Sequence, residues 1–379
     1  MLLPVTLREC PGTLRVHLTV SPLVDGLVRQ LELYWTGATP QPGDWVGLFS
    51  SDPAGAVPLP PSLAVVDPAG NCEGWERTVI TEQGRVNNSI QLGFQPRCLD
   101  YYVGYIRGNT TLASSCLRLE PTWMTERPAL GAFPLTNLFL PGSHDSGAYG
   151  EFDPDIGDNS VTKYTVCQDE DILSQLIRGI RYLDIRVAYY RYLALLSNES
   201  DSGFWLNHGA FRMFPMEIIT EQVRQFLLNT PSQEIVIFDV QEFSFGFNGP
   251  EDHDRLVNFF ANEFAGLILH RNATTNGLQA NPPNNGRPWS AMAELTPSTF
   301  DVITDRLGGL RPMADSVNRN VTTWYLGSWG ETVNIVACDF FRGTDIVAVA
   351  LEWDDKRVQA RKAKEAQRSS WYSRILGGN

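Results

Sequence analysis

From residue 137 to residue 353 short apolar runs alternate with stretches of helical period, and this constrains the fold more than any other feature. Asn137 to Leu140, Tyr182 to Val187, Phe204 to Gly209, Glu234 to Val240 and Asn334 to Phe340 read as strands. Asp169 to Arg178, Met216 to Leu228, His253 to Leu269 and Asp345 to Trp353 read as helices. The strands are apolar without a period-two alternation, so both faces of their sheet must be covered. Strands of that kind joined by helices imply an α/β fold with a parallel sheet, and a TIM-like (β/α) barrel fits. Chemistry in such a barrel belongs at the C-terminal ends of the strands.

The chain before this region has a different texture. Leu14 to Val20 and Val28 to Trp35 alternate with period two, and Trp45 to Phe49, Ser89 to Phe94 and Tyr101 to Ile106 add three more runs. Turn signals such as Pro40-Gln41-Pro42-Gly43-Asp44 separate them. This pattern predicts an all-β sandwich over residues 1–121, followed by a barrel domain over 122–355. Asp44-Trp45-Val46-Gly47-Leu48-Phe49 resembles the signature of SKICH-type β-sandwich modules. Residues 356–379 are rich in Lys and Arg and read as a solvated helical tail.

A net charge of -13 argues against nucleic acid as a partner and against broad adhesion to anionic membranes. No apolar run approaches the ~20 residues that span a bilayer. Asn87, Asn109, Asn198, Asn272 and Asn320 stand in Asn-x-Ser/Thr patterns, which predicts a glycoprotein of the secretory lumen or exterior, soluble or membrane-peripheral. Cys10, Cys72, Cys98 and Cys116 lie in the first third and allow two disulfides with three pairings. The start Met1 to Glu9 carries no secretory signal, so secretion would need a leader upstream.

The strand ends carry the chemistry. One ends at His144 and Asp145, the next holds Asp184 and Arg186, the third ends at His208, the fourth delivers Asp239, Gln241 and Glu242, and the last delivers Asp339. Two imidazoles can act as general base and general acid, each steadied by a carboxylate. Arg186 offers a permanent planar fork for a phosphate oxygen. Together they suit phosphodiester cleavage, with a neighbouring substrate hydroxyl as nucleophile. There is no Gly-x-Ser-x-Gly, no Cys-x-x-Cys and no His-x-x-x-His, so neither a serine hydrolase nor a zinc site is indicated. No cofactor is expected.

Pro141-Gly142-Ser143-His144-Asp145-Ser146, Gly179 to Arg186 and Asn207-His208-Gly209 resemble, in order and spacing, the X-domain of phosphatidylinositol-specific phospholipase C. The likeness is to metazoan X-domain-containing proteins built on the bacterial pattern, and Glu234 to Phe243, Met292 to Thr296, Gly309 to Asp315 and Asn334 to Phe340 continue it. The resemblance implies His144 as base on an inositol 2-hydroxyl and His208 as acid for the glycerol oxygen. It implies Asp339 orienting His144, Asp145 supporting His208 and Arg186 binding phosphate. Asp184, Asp239 and Glu242 are expected to support the site or contact inositol hydroxyls. Calcium-dependent relatives carry a carboxylate where Arg186 stands, so the resemblance implies metal independence and a phosphatidylinositol-type lipid at a membrane surface as substrate. The segment from Leu269 to Met292 is too short for the two βα units the family carries there. A shortened barrel is therefore expected, with a catalytically impaired lipid- or protein-binding member of the same fold as the alternative.

Overall fold

The computed structural model describes residues 12–23, 28–56, 58–83, 92–150, 162–192, 202–209, 211–268 and 288–376. The start Met1 to Glu9, the sequons at Asn87, Asn198 and Asn272, the first half of the expected Ser89 to Phe94 strand and most of the Leu269 to Met292 gap lie outside them, and Leu92 to Phe94 are not in a strand.

Seven strands come first: β1 (Arg15–Val20), β2 (Val28–Thr36), β3 (Asp44–Phe49), β4 (Ser62–Val66), β5 (Gly74–Gln83), β6 (Arg97–Arg107) and β7 (Thr110–Leu119). They form two antiparallel sheets, β1-β2-β5 and β4-β3-β6-β7. Leu18, Leu31, Leu33 and Trp35 from one sheet share a core with Val46, Leu48, Val103 and Tyr105 from the other, so this region is a β-sandwich. Asp44 at the head of β3 is buried and accepts from Arg107 at 2.9 and 2.8 Å and from Tyr105 at 3.1 Å. Cys98 and Cys116 form a disulfide that ties β6 to β7, and Cys72 is disulfide-bonded as well.

The second half contains β8 (Leu140–Ser143), β9 (Tyr182–Tyr189), β10 (Phe204–His208), β11 (Phe211–Pro215), β12 (Ile237–Phe245), β13 (Ser290–Ala293) and β14 (Ile335–Cys338). Its helices are α1 (Trp123–Glu126), α2 (Ile172–Ile177), α3 (Met216–Asn229), α4 (Pro250–Glu263), α5 (Thr299–Thr304), α6 (Leu310–Leu326), α7 (Trp329–Thr332) and α8 (Ile346–Leu376). Asp171 caps α2 by accepting from Ser174 N at 2.7 Å. Strands β12, β9, β8, β14 and β13 run parallel, in that order. Leu183, Ile185, Val187, Val336 and Cys338 point into a core shared with α2, α3, α6 and α8. Leu140, Tyr182, Ile335 and Ala337 fill the opposite face. The period of two therefore puts Asp184 and Arg186 on the same face as Tyr182.

Two features depart from the expected parallel barrel. Strand β10 runs antiparallel to β9 and makes a hairpin with β11. The hairpin turns at Gly209, whose φ of 54° lies in the left-handed region that glycine adopts without Cβ strain. The other departure is that β12 and β13 end the parallel set, and no described strand pairs with their outer edges. The architecture is thus a TIM-like half-barrel behind an all-β sandwich. The helix α8 continues unbroken across residues 355 and 356, and its described side chains from residue 359 onward are exposed. No helix of the described residues is long and apolar enough to cross a membrane.

The sandwich and half-barrel meet through polar contacts. His17 Nδ1 lies 2.6 Å from Asp345, Tyr34 pairs with Thr323 at 2.6 Å, and Arg77 reaches Asp315 at 2.6 Å. Arg15 binds Glu352, and Arg342 donates to Glu82 at 2.7 Å.

Candidate active site

Strand β8 stops at Ser143, and the next residue, His144, stands at the mouth of the half-barrel. Its backbone N–H still donates to Cys338 O of β14 at 3.0 Å. The chain then turns through Asp145, whose φ of 35° is unusual for a residue with a Cβ. Local hydrogen bonds hold this turn. Asp145 N donates to Asp184 Oδ2 at 2.9 Å, Ser146 N to Asp184 O at 2.8 Å, and Ala148 N to Asp145 O at 2.8 Å. Gln168 Nε2 donates to His144 O at 2.7 Å and to Cys338 O at 2.8 Å, which locks two strand ends together. Gly147 completes the turn, because a Cβ there would stand 2.1 Å from Leu206 Cδ1.

The His144 ring is held on both nitrogens. Nδ1 lies 2.7 Å from Asp339 Oδ1, and Nε2 lies 2.6 Å from Arg186 Nη2. A guanidinium only donates, so Nε2 accepts and the ring is the neutral Nδ1–H tautomer, donating to Asp339. Burial opposes charge on this ring, yet the Asp339 carboxylate, with Asp184 behind it, lifts its pKa to about 9, against the Arg186 charge. A proton and Arg186 therefore compete for the same nitrogen. The acids around Arg186 lie at 3.6 Å (Asp145), 3.5 Å (Asp184) and 3.8 Å (Glu242), and despite burial the Asp184 carboxylate helps to hold it charged.

His208 closes the other side. Its Nδ1 donates to Thr165 O at 2.9 Å, which leaves Nε2 turned toward Asp145 Oδ2 at 3.9 Å, too far for a direct hydrogen bond. Burial, then the Arg186 and His144 charges, push this imidazole below its ordinary value. Asp145 is fully buried, and neither carboxyl oxygen has a hydrogen-bond partner. Burial pushes its pKa up to about 8 against the pull of Arg186 and His144, so it retains its proton at neutral pH.

His144, Asp145, Asp184, Arg186, His208 and Asp339 thus meet in one cluster. Asp239 does not join it, and instead accepts from Tyr182 at 2.9 Å and from Gln241 at 2.6 Å. Glu242 stands beside Arg186 in register, with 48% of its side chain exposed. Sequence reasoning assigned no role to Glu294, whose Oε1 is 4.0 Å from His144 Nε2. It follows β13 directly, a short strand that the hydrophobic pattern did not mark, so the strand-end rule that found the other acids did not reach it. Cys167 and Gln168 follow no strand and belong to no motif. Only the fold places Cys167 Sγ 3.8 Å from His208 Nδ1.

The cluster opens into a cleft of about 400 Å³ lined by His144, Arg186, His208, Glu294 and Asp339 at its floor. Phe211, Leu295 and Ile303 form an exposed apolar rim. Two ligand triads, His144-Cys167-Asp339 and Asp145-Cys167-His208, have donor atoms within 4.8 Å of one another. Each includes a thiol, unlike the all-oxygen cage that calcium prefers, and the Arg186 guanidinium between them opposes a cation.

No family model matches the chain. Over 173 residues, 40% of its length, it is 29% identical to PI-PLC X domain-containing protein 1 of Danio rerio. Over 154 residues, 36% of its length, it is 31% identical to PI-PLC X domain-containing protein 2 of Homo sapiens. The matches span 53% and 47% of those relatives, about half of each. Among solved structures it is similar to the phosphatidylinositol-specific phospholipase C of Listeria monocytogenes, at 18% identity and a TM-score of 0.42, over 62% of this chain and 98% of that one.

Proposed function

We propose that this chain, akin in sequence to the PI-PLC X domain-containing proteins, is a metal-independent phosphodiesterase that cleaves phosphatidylinositol-type lipids. The observation that carries this reading is His144, held on Nδ1 by Asp339 and blocked on Nε2 by Arg186, with a second imidazole across the cleft. An incoming phosphodiester is the natural acceptor for the Arg186 fork. As Arg186 turns to phosphate, His144 Nε2 is freed and takes the proton of the inositol 2-hydroxyl. That oxygen attacks phosphorus, forming the cyclic phosphate. The bond from phosphorus to the glycerol oxygen breaks, and His208 delivers a proton to that oxygen. Asp145, protonated at neutral pH, lies beside His208 as its proton partner. The products are a cyclic inositol phosphate and diacylglycerol. Proximity and paired proton transfer are the main contributions to rate.

The sandwich, half-barrel and basic tail are taken as three functional units over 1–121, 122–355 and 356–379. The exposed rim of Phe211, Leu295 and Ile303 suits docking on a lipid surface. We assign the protein to the secretory lumen or exterior. The exposed sequons Asn109 and Asn320 and the Cys98–Cys116 disulfide support this. A mass decrease on glycosidase treatment of protein from secreting cells tests it.

The activity test is release of cyclic inositol phosphate from phosphatidylinositol vesicles in EDTA, for the wild type and His144→Ala. Wild-type turnover well above the variant is expected. Equal rates would end the enzyme reading, and loss of activity in EDTA alone would end the claim of metal independence. A second reading, a catalytically impaired lipid- or protein-binding member, is favoured by the outer edges of β12 and β13, with which no described strand pairs. It predicts vesicle binding without turnover.

A further inference from the structure

Two indoles stand exposed side by side at the C-terminal end of α6. Trp324 and Trp329 have 41% and 55% of their surface exposed, and their ring centroids lie 5.2 Å apart. The pair is held in place by its neighbours. Trp329 meets the buried Tyr325 ring edge-on at 5.9 Å, and Trp353 Nε1 donates to Tyr325 O at 2.6 Å. Arg357 Nη2 donates to Gly330 O and to Val333 O at 3.1 Å, which fixes α7, on which Trp329 stands. A fixed pair of exposed aromatic rings suits a ligand with an apolar face.

A sequon lies beside it. Asn320-Val321-Thr322 is on the same helix, and Asn320 is exposed four residues before Trp324, so the two side chains are neighbours on one face, about 5–6 Å apart at Cβ. Thr322 is buried and accepts from Asp345 N at 3.0 Å, so a sugar has to be added before α6 docks, as it is when transfer acts on a nascent chain. An N-linked N-acetylglucosamine carries C–H groups on one face of its ring. That face packs on indole as an apolar surface, while the hydroxyls and the amide stay in water. The link to Asn320 makes the contact intramolecular, which removes most of the cost of bringing sugar to indole. A lipid surface is the other chemistry that exposed Trp suits. Leu310, the first residue of α6, lines the cleft, and Trp324 stands 14 residues further, about 21 Å along the helix. A membrane met by the rim of the cleft does not reach the pair.

We propose that Asn320 is an N-glycosylation site whose first sugar stacks on the Trp324–Trp329 pair. This rests on the assignment to the secretory lumen or exterior and does not depend on catalysis in the cleft. The test uses the full chain from secreting cells. It reads hydroxyl-radical oxidation of each Trp by peptide mass spectrometry, together with glycan occupancy at Asn109 and Asn320. In the glycosylated wild type, Trp324 and Trp329 should oxidise at least threefold more slowly than in Asn320→Gln, with the exposed Trp371 equal in both. Trimming the native protein to a single N-acetylglucosamine should keep the protection, and enzymatic removal of the whole glycan should abolish it. Protection lost on trimming would mean shielding by the outer sugars, and equal oxidation with Asn320 occupied would mean no contact. Either result overturns the proposal and leaves the localisation standing, as does an empty Asn320 beside an occupied Asn109. Glycan at neither site overturns both.

Discussion

Replacing Asp339 with Asn tests the proposed base most directly, because it keeps the shape and removes the charge. In the wild type the Asp339 oxygen sits 2.7 Å from His144 Nδ1 and is the main influence raising that imidazole from 6.5 to about 9. That difference corresponds to about 3 kcal/mol of preference for the protonated ring. In the variant, burial remains and the carboxylate does not, so the imidazole should fall below 6.5. An amide can also present its NH2 to Nδ1, which would put the ring proton on Nε2 and remove the base. Loss of the orienting acid in a histidine-based site typically costs up to ~10⁴ in kcat. We expect a fall of ~10²- to 10⁴-fold in cyclic inositol phosphate release, measured in EDTA across pH 5–10. The signs follow from a base that works only when neutral. Wild-type kcat/KM should fall as pH drops below about 9, and in the variant this limb should move down. Folding carries the opposite sign. The His144–Asp339 pair contributes stability in full below pH 6.5 and loses it as pH rises through about 9. A variant rate within about threefold of wild type, with the limb unmoved, would refute the reasoning.

Further outcomes follow from the same contacts. Arg186→Lys should cost ~1–3 kcal/mol of transition-state binding, read as a tenfold or greater loss in kcat/KM, because a point charge cannot replace the fork. Asp145→Asn should raise the thermal midpoint. The raised carboxyl contributes stability below about pH 4 that is lost as pH climbs to about 8, so the gain should be absent near pH 4 and reach at least ~3 °C at pH 8, while turnover falls. Glu234→Ala should destabilise the fold by ~3–5 kcal/mol in urea titration, since it strands the fully buried Arg181, which Glu234 holds at 2.7 and 3.1 Å.

How much was legible in the chain follows from the range of each signal. Hydrophobic period is local, so the strands at Tyr182, Ile335 and Leu140 and the helix at Met216 could be read within a few residues of their ends. Polar groups at strand ends are local as well, which is why His144, Arg186, His208 and Asp339 stand out by position. A shortened barrel was expected from a chain too short between Leu269 and Met292, and among the described residues no strand pairs with the outer edges of β12 and β13.

What only the tertiary structure decided lies between residues far apart in the chain. Asp184 and Asp239 are register partners on adjacent strands and look alike in sequence, yet one is buried beneath Arg186 and the other turns to Tyr182. Strand direction hid as well, since an apolar run does not say whether it pairs parallel or antiparallel, and β10 pairs antiparallel with both β9 and β11. Cys167, Gln168 and Glu294 reach the cluster from positions 23 to 150 residues beyond His144. The sequence by itself determined which groups stand at the mouth, because that depends on local period. Their partners and their protonation depend on burial and distance, which exist only once the sheet has closed its core.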